Sequence, residues 1–158
     1  MSTQSAREQS MHAADEEAVR ALYQHLLETW NQRDADAMAA LFAVDGVIIG
    51  FDGSQNAGQA EIASTTRQIF AAHLTHTYVG KIRDVRFLAA NVALLRAVVG
   101  FIAPGQTDLN AALNAVQTLV AVKYSNEWRV ELFQNTPAQF HGRPDLAQQL
   151  TDELRALL

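Results

Sequence analysis

The sequence predicts an α+β fold in which helices cover one face of a curved antiparallel or mixed sheet. Three observations support this prediction. Residues 15–74 are mainly helical in pattern, residues 76–136 contain four long alternating segments, and an amphipathic helix begins at Pro144. Helical and strand patterns are therefore segregated along the chain, which is typical of this class.

The bulk composition is that of one globular domain. The chain has 158 residues, of which 49 % are hydrophobic and 18 % are charged. A net charge of −5 argues against nucleic acid and against an anionic membrane surface as partners, and no apolar run is long enough for a membrane span. Without cysteine or a secretory pattern, we expect a cytoplasmic protein. We expect residues 1–13 to be a disordered tail and residues 14–158 to form the domain.

Three helices and one strand are predicted in the first half. The first helix starts near Asp15 and carries an apolar stripe made of Val19, Leu22, Tyr23, Leu26, Leu27 and Trp30. The stretch DADAMAALF predicts a second, short helix with Asp34 or Asp36 as its N-cap. VDGVIIGFDG indicates a strand with a bulge or a close backbone approach at Gly50. GQAEIASTTRQIFAAHL predicts the third helix, whose apolar face holds Ile62, Ile69, Phe70 and Leu74.

Four strands and a last helix are predicted in the second half. The strands cover approximately 76–88, 91–103, 115–125 and 127–136, with tight turns at Ala90-Asn91 and Ser125-Asn126. Residues 104–114 form an ordered loop at one end of the sheet. Pro144 suits the first turn of a helix with Leu146, Leu150, Leu154 and Leu157 on one side.

The alternation of the last two strands predicts which sheet face meets the helices. The inward set is expected to be Val116, Thr118, Val120, Val122, Trp128, Val130, Leu132 and Gln134. The opposite set contains Gln117, Leu119, Phe133 and Asn135, and it is amphipathic rather than fully polar. Such a face suits partial coverage by a second subunit, so we expect a homodimer through the outer face of the sheet.

Residues 15–144 resemble the nuclear transport factor 2-like (SnoaL-like) superfamily. The resemblance rests on WNQRDADAMAALFAVDGVIIG, on the glycine-started third helix and on the meander of strands. FQNTPAQFHGRP and DLNAALNAVQTLVAVK resemble the SgcJ/EcaC-type branch, some of whose members lie in polyketide and enediyne pathways. The resemblance implies a cone-shaped fold, with a curved sheet wrapped around three N-terminal helices and an apolar cavity between them. It implies no single reaction, since the superfamily includes isomerases, cyclases, dehydratases, epoxide hydrolases and non-catalytic modules.

Four residues are candidates for cofactor-independent acid–base chemistry: His73, His76, Tyr78 and Asp52. The place of the catalytic aspartate of ketosteroid isomerases falls at or near Gly50, so that role looks vacated. Asp52 is either its substitute or a solvated turn residue. His73, on the apolar face of the third helix, is either a general base or a structural histidine. No carboxylate stands at metal-ligand spacing from His73 and His76, so we expect neither a metal site nor a cofactor.

The cavity lining is predicted from residue type. The candidates for ligand contact are Trp30, Phe42, Phe51, Phe70, Trp128 and Gln134. Each aromatic side chain either lines the cavity or packs in the hydrophobic core. Two functions therefore stay open. One is a site for a small apolar, polyketide-like molecule, with or without isomerase- or cyclase-type chemistry, and the other is a non-catalytic ligand-carrying or dimerisation module.

Overall fold

The computed structural model describes residues 3–158. In chain order the elements are α1 Thr3–Asn31, α2 Ala35–Ala40, β1 Phe42–Ile49, β2 Gln55–Ala57, α3 Gln59–Ala72, β3 Thr77–Ala89, β4 Val92–Ile102, a 3-10 turn Ala111–Leu113, β5 Ala115–Tyr124, β6 Glu127–Pro137 and α4 Pro144–Arg155. This order agrees with the predicted succession of helices, long strands and a last helix.

Across residues 3–158, six strands form one mixed sheet in the order β2-β1-β6-β5-β4-β3. β1 runs parallel to β6, and the other neighbouring strands are antiparallel. Register shifts in β1, β3 and β6 bend the sheet, and the first three helices pack on its inner face. The main core on that face includes Tyr23, Phe42, Ile62, Leu119 and Phe133. The predicted curved α+β fold is confirmed.

α1 is longer than its apolar stripe indicates. The helix begins at Thr3, whereas a disordered tail was expected over residues 1–13; residues 1 and 2 of that tail lie outside the described residues. Residues 6–14 are helical but exposed, so they carry no apolar periodicity from which the sequence could predict the extension. The second half of α1 contributes Val19, Leu22, Tyr23, Leu26 and Leu27 to the core. Nowhere in residues 3–158 does a helix combine the length and apolar character that crossing a membrane requires.

The glycine-rich segment after α2 is a hairpin rather than a single strand. The Gly50 N–H donates to the carbonyl oxygen of Ser54 at 2.8 Å, and the Gly53 N–H donates to the carbonyl oxygen of Gly50 at 3.0 Å. Gly53 has a φ of 88°, a conformation that glycine adopts without strain. The chain therefore reverses over residues 50–54, and Phe51 and Asp52 lie in the turn.

A bulge in β6 reverses the predicted facing of part of the sheet. Val120 pairs with Leu132 but Ala121 pairs with Val130, so Glu131 is an extra residue in β6. Val130 and Phe133 are consequently both buried on the inner face. In β5 the inward residues are Gln117, Leu119 and Ala121 rather than the expected Val116, Thr118, Val120 and Val122, because the hairpin register pairs Ala121 with Val130. The expected inward facing of Gln134 is therefore wrong, because it pairs with Thr118 on the outer face.

α4 packs against the outer face of the sheet at one end. Its buried Leu150 and Leu154 contact Val98 of β4. Glu153 Oε1 accepts a hydrogen bond from Arg83 Nη2 at 2.7 Å. Glu153 Oε2 forms an ion pair with Lys81 Nζ at 3.0 Å. The hydrogen bonds from Arg83, followed by that from Lys81, hold the pKa of Glu153 at about 2. The carboxylate is thus charged at neutral pH and secures the helix to β3.

Candidate functional site

Two adjacent lobes that share part of their lining lie between the inner face of the sheet, α1, α3 and the turn after β1. The first lobe has a volume of about 410 Å³ and the second about 280 Å³. Four side chains line both lobes and form what we call the junction: Trp30, Phe51, Ile69 and Tyr78. The first lobe is otherwise lined mainly by Leu26, Met38, Ile48, Thr66, Phe133 and Asn135. The second lobe is lined by His73, Leu74, Thr75, His76, Phe101 and Leu113.

Aromatic contacts hold the junction together. The Trp30 ring centroid lies 5.1 Å from that of Tyr78, and the Tyr78 centroid lies 4.7 Å from that of Phe101 in an edge-to-face arrangement. Phe51, in the turn after β1, packs edge-to-face on Phe101 at 5.8 Å. These contacts bring α1, the turn after β1, β3 and β4 together around the two lobes.

Polar side chains at the end of α1 fix the link between α3 and β3. The Trp30 Nε1–H donates to the carbonyl oxygen of His76 at 3.0 Å. The Asn31 side chain accepts from the Tyr78 N–H at 2.8 Å and donates to the Tyr78 carbonyl oxygen at 3.0 Å. These are the two backbone groups that a further strand would pair with at the edge of the sheet. Arg33 donates to Thr75 Oγ1 and to the His73 carbonyl oxygen, both at 2.9 Å. The two histidines are thereby kept at the second lobe.

Asp52 reaches the first lobe from the turn after β1, where it is exposed. Its Oδ1 accepts from the Ser54 N–H and its Oδ2 accepts from the Ser54 hydroxyl, both at 2.9 Å. These hydrogen bonds lower the pKa of Asp52, with the backbone N–H of Ser54 as the largest cause. The carboxylate is therefore ionised at neutral pH and is a weak proton acceptor.

Tyr78 places a phenol between the two lobes. Burial raises the pKa of Tyr78 above its ordinary value, so the hydroxyl stays protonated and can donate a hydrogen bond. Within residues 3–158 the structure gives this hydroxyl no hydrogen-bond partner, while the backbone of Tyr78 is paired with Asn31.

A chain of three buried polar side chains leads to the first lobe. The Tyr23 hydroxyl donates to Gln117 Oε1 at 2.6 Å, and Gln117 Nε2 donates to Asn135 Oδ1 at 2.7 Å. Asn135 is 7 % exposed and lines the lobe. Burial, followed by the proximity of Tyr78, raises the pKa of Tyr23, so its hydroxyl also stays protonated. Sequence reasoning missed this chain because it assigned Gln117 and Asn135 to the outer face; the polar pair on neighbouring strands was the available signal.

Comparison with known proteins identifies the family. The family model for the SnoaL-like domain matches residues 19–134. The chain belongs to the SnoaL-like domain family. A comparison with curated proteins gives no significant match.

Solved structures share the SnoaL-like fold over most of their length. A domain of unknown function with a cystatin-like fold from Nostoc punctiforme is 28 % identical, with a TM-score of 0.76 over 91 % of this chain and 96 % of its own. A candidate scytalone dehydratase from Novosphingobium aromaticivorans is 13 % identical, with a TM-score of 0.69 over 83 % and 89 %. A ketosteroid isomerase-like protein from Erwinia carotovora is 17 % identical, with a TM-score of 0.62 over 79 % and 97 %. The last two are similar in fold alone.

The predicted acid–base residues of this SnoaL-like domain lie around the two lobes. His73, His76 and Tyr78 line the second lobe, and Asp52 and Tyr78 line the first. His73 is exposed and lies one residue beyond α3 rather than in its last turn. Within residues 3–158 no three His, Asp or Glu side chains are grouped as metal ligands. Catalytic roles for these four residues stay predictions.

The predicted ligand-contact residues are divided between the cavity and other places. Trp30 and Phe51 line both lobes. Phe42 is buried in the main core, and Trp128 lies near the first half of α1, where its Nε1–H donates to Asp15 at 3.0 Å. Phe70 packs edge-to-face against Trp30, with 5.0 Å between the ring centroids, but Phe70 lines neither lobe. Gln134 lies on the outer face of the sheet.

Proposed function

We propose that this SnoaL-like domain binds an apolar, polyketide-like small molecule in the two-lobed cavity. The junction of Trp30, Phe51, Ile69 and Tyr78 is the observation that carries the proposal, because these four mainly apolar side chains line both lobes. The first lobe, at about 410 Å³, lies within the range of small-molecule sites, and the second lobe, at about 280 Å³, lies just below it. The lining is mainly aliphatic and aromatic, with a few polar groups that would orient a ligand.

Binding is favoured over catalysis by the state of the polar groups. Each carboxylate oxygen of Asp52 accepts a hydrogen bond from Ser54, and its pKa is lowered, which makes it a poor general base. Cofactor-independent isomerase-, cyclase- or dehydratase-type chemistry is the second candidate, since His73, His76 and Tyr78 line one lobe. The names of the ketosteroid isomerase-like and scytalone dehydratase neighbours favour the same class. The motifs FQNTPAQFHGRP and DLNAALNAVQTLVAVK support a place in the SgcJ/EcaC-type branch.

Ligand binding is tested with the neutral fluorescent ketone 6-propionyl-2-dimethylaminonaphthalene (PRODAN). We expect saturable binding with a blue-shifted emission, because the dye would leave water for an apolar cavity. Replacing Ile69→Trp fills the junction and should weaken binding about tenfold or more, which corresponds to about 1.4 kcal/mol. Leu88→Trp, which adds the same side chain at an exposed position of β3, is the control and should bind like the wild type. Equal affinities of all three proteins would reject the cavity as the site.

We propose in addition that two copies of the chain pair through the outer face of the sheet. This face carries apolar side chains that α4 leaves uncovered or half-covered, among them Val47, Ile49, Leu94, Val116, Val120 and Leu132. Val116 is 41 % exposed. A second copy presents the same apolar surface and is therefore a complementary occupant. Light scattering should give a dimer for the wild type and a monomer for Leu94→Glu; a monomeric wild type would reject the interface.

A further inference from the structure

We propose that the ligand carries a carbonyl oxygen and that the amide of Asn135 donates a hydrogen bond to it in the first lobe. This inference rests on the proposed ligand-binding function and specifies the chemical class of the ligand. Asn135 would touch the ligand directly. Gln117 and Tyr23 would act as positioning residues, because they reach the ligand only through Asn135.

The direction of the buried polar chain is fixed at one end by a backbone carbonyl. Asn135 Nδ2 lies 3.3 Å from the carbonyl oxygen of Ile49, which can only accept. The oxygen of the Asn135 amide must therefore face Gln117, where it accepts from Nε2 at 2.7 Å. The oxygen of Gln117 in turn accepts from the Tyr23 hydroxyl at 2.6 Å. Every bond in the chain thus donates toward the cavity.

Asn135 keeps one donor for the cavity. Its amide nitrogen has two N–H groups, and the bond to Ile49 uses one of them. Within residues 3–158 the structure gives the other N–H no partner, although Asn135 is only 7 % exposed and lines the first lobe. A buried N–H without a partner is unfavourable, so this position favours a ligand atom that accepts.

The two preceding links strengthen the donor. A hydrogen-bonded chain polarises each member in the same direction, and a low local dielectric increases the effect. Gln117 and Tyr23 are each 1 % exposed, so water does not compete with these bonds. Burial also fixes the Asn135 amide in one orientation, so that its free N–H has a defined direction.

The side-chain amide of Asn56 also offers N–H donors to the first lobe. Asn56 Oδ1 accepts from the Thr65 hydroxyl at 2.9 Å, which leaves the amide nitrogen of Asn56 as the group available to a ligand. The Tyr78 hydroxyl is also a donor. Asp52 is the anionic acceptor of the lobe, and each of its oxygens already accepts a hydrogen bond from Ser54. Asn135, Asn56 and Tyr78 therefore offer three donors to the lobe, and a carbonyl oxygen on an apolar body is the group that matches them.

The test compares two ligands of similar shape, 2-acetylnaphthalene and 2-isopropylnaphthalene, by displacement of bound PRODAN. The ratio of the two dissociation constants is measured in each protein and compared between proteins. The free energies of solvation of the two free ligands are the same in every measurement, so they cancel in this comparison. Asn135→Leu should shift this ratio about five- to tenfold against the ketone, and Tyr23→Phe should shift it about twofold in the same direction. Gln134→Leu, which removes the neighbouring amide on the outer face, should leave the ratio unchanged.

Infrared spectroscopy of bound, carbonyl-¹³C-labelled 2-acetylnaphthalene supplies a readout that a purely structural role would not change. In the wild type the carbonyl stretch should lie at lower wavenumber than in hexane, and Tyr23→Phe should move it part of the way back. This measurement needs only folded wild type and Tyr23→Phe, so it decides the question even where Asn135→Leu does not fold.

Three outcomes overturn the inference. A ratio that is the same in wild type and Asn135→Leu, or a bound carbonyl stretch equal to that in hexane, would reject the hydrogen bond while leaving cavity binding intact. Failure of both naphthalenes and of PRODAN to bind would reject the proposed function and the carbonyl together.

Discussion

Phe133→Ala is expected to lower the free energy of unfolding by about 3–5 kcal/mol. Phe133 is 1 % exposed, and its ring centroid lies 6.4 Å from that of Tyr23 in the main core. Its cross-strand neighbours on the inner face are Leu119 and Ile48, so removal of the ring leaves a cavity that the sheet cannot close. Urea unfolding followed by tryptophan fluorescence measures the change.

The matched control for this substitution is Leu132→Ala. Leu132 precedes Phe133 but lies on the outer face, where it pairs with Val120 and is half-buried. With both truncations measured in the monomeric Leu94→Glu background, Leu132→Ala should cost less than about 1.5 kcal/mol, because a half-buried side chain loses fewer contacts. A larger loss for Leu132→Ala than for Phe133→Ala would show that β6 has no bulge at Glu131 and that the originally predicted facing holds.

Gly80→Ala is expected to destabilise the protein by about 1–3 kcal/mol through overpacking. A Cβ at position 80 would lie 2.5 Å from Leu27 Cδ1 and 2.5 Å from the Tyr23 hydroxyl oxygen. The Tyr23 ring is rigid and buried, and its hydroxyl is bonded to Gln117, so it cannot move aside freely. Unfolding measurements should show the loss, and ketone selectivity in the naphthalene assay should fall with it because Tyr23 is displaced.

Gly50→Ala controls for the general effect of adding a methyl group to a glycine. A Cβ at position 50 would meet Asp52 Oδ1 at 3.5 Å, an ordinary contact distance. Its free energy of unfolding should change by no more than about 0.5 kcal/mol. Equal losses at both positions would contradict the close approach of α1 to β3 at Gly80.

The architecture was predictable because strong periodicities survive in the sequence. The spacing of Val19, Leu22 and Leu26 indicates the buried face of α1, and the alternating segments indicate where the strands lie, although not which of their faces is inward. The bulge at Glu131 was not predictable in this way. Leu132 and Phe133 are both apolar because both faces of the sheet are partly apolar, so the alternation fits either facing equally well. The helical extension before Asp15 was missed because an exposed helix needs no apolar stripe.

The sequence predicted which types of residue line the candidate cavity, but it did not predict which individual residues of those types lie there. Trp30 and Phe51 line the cavity while Phe42 packs in the core, and only the three-dimensional placement of their elements separates them. The buried chain from Tyr23 to Asn135 depends on Gln117, which lies 94 positions from Tyr23. Contacts over such a separation follow from tertiary packing, and a single sequence carries no local signal for them.

If the space between the sheet and the helices receives a ligand, the isoleucine methyl groups that line this space report on it most directly. In protein labelled at isoleucine methyls, we predict nuclear Overhauser effects between bound PRODAN and Ile48 and Ile69, which line the first lobe. Ile49 follows Ile48 but pairs with Gln134 on the outer face, so its methyl groups should show no such effect. Contacts of the dye with Ile49 instead of Ile48 and Ile69 would contradict ligand binding in this space.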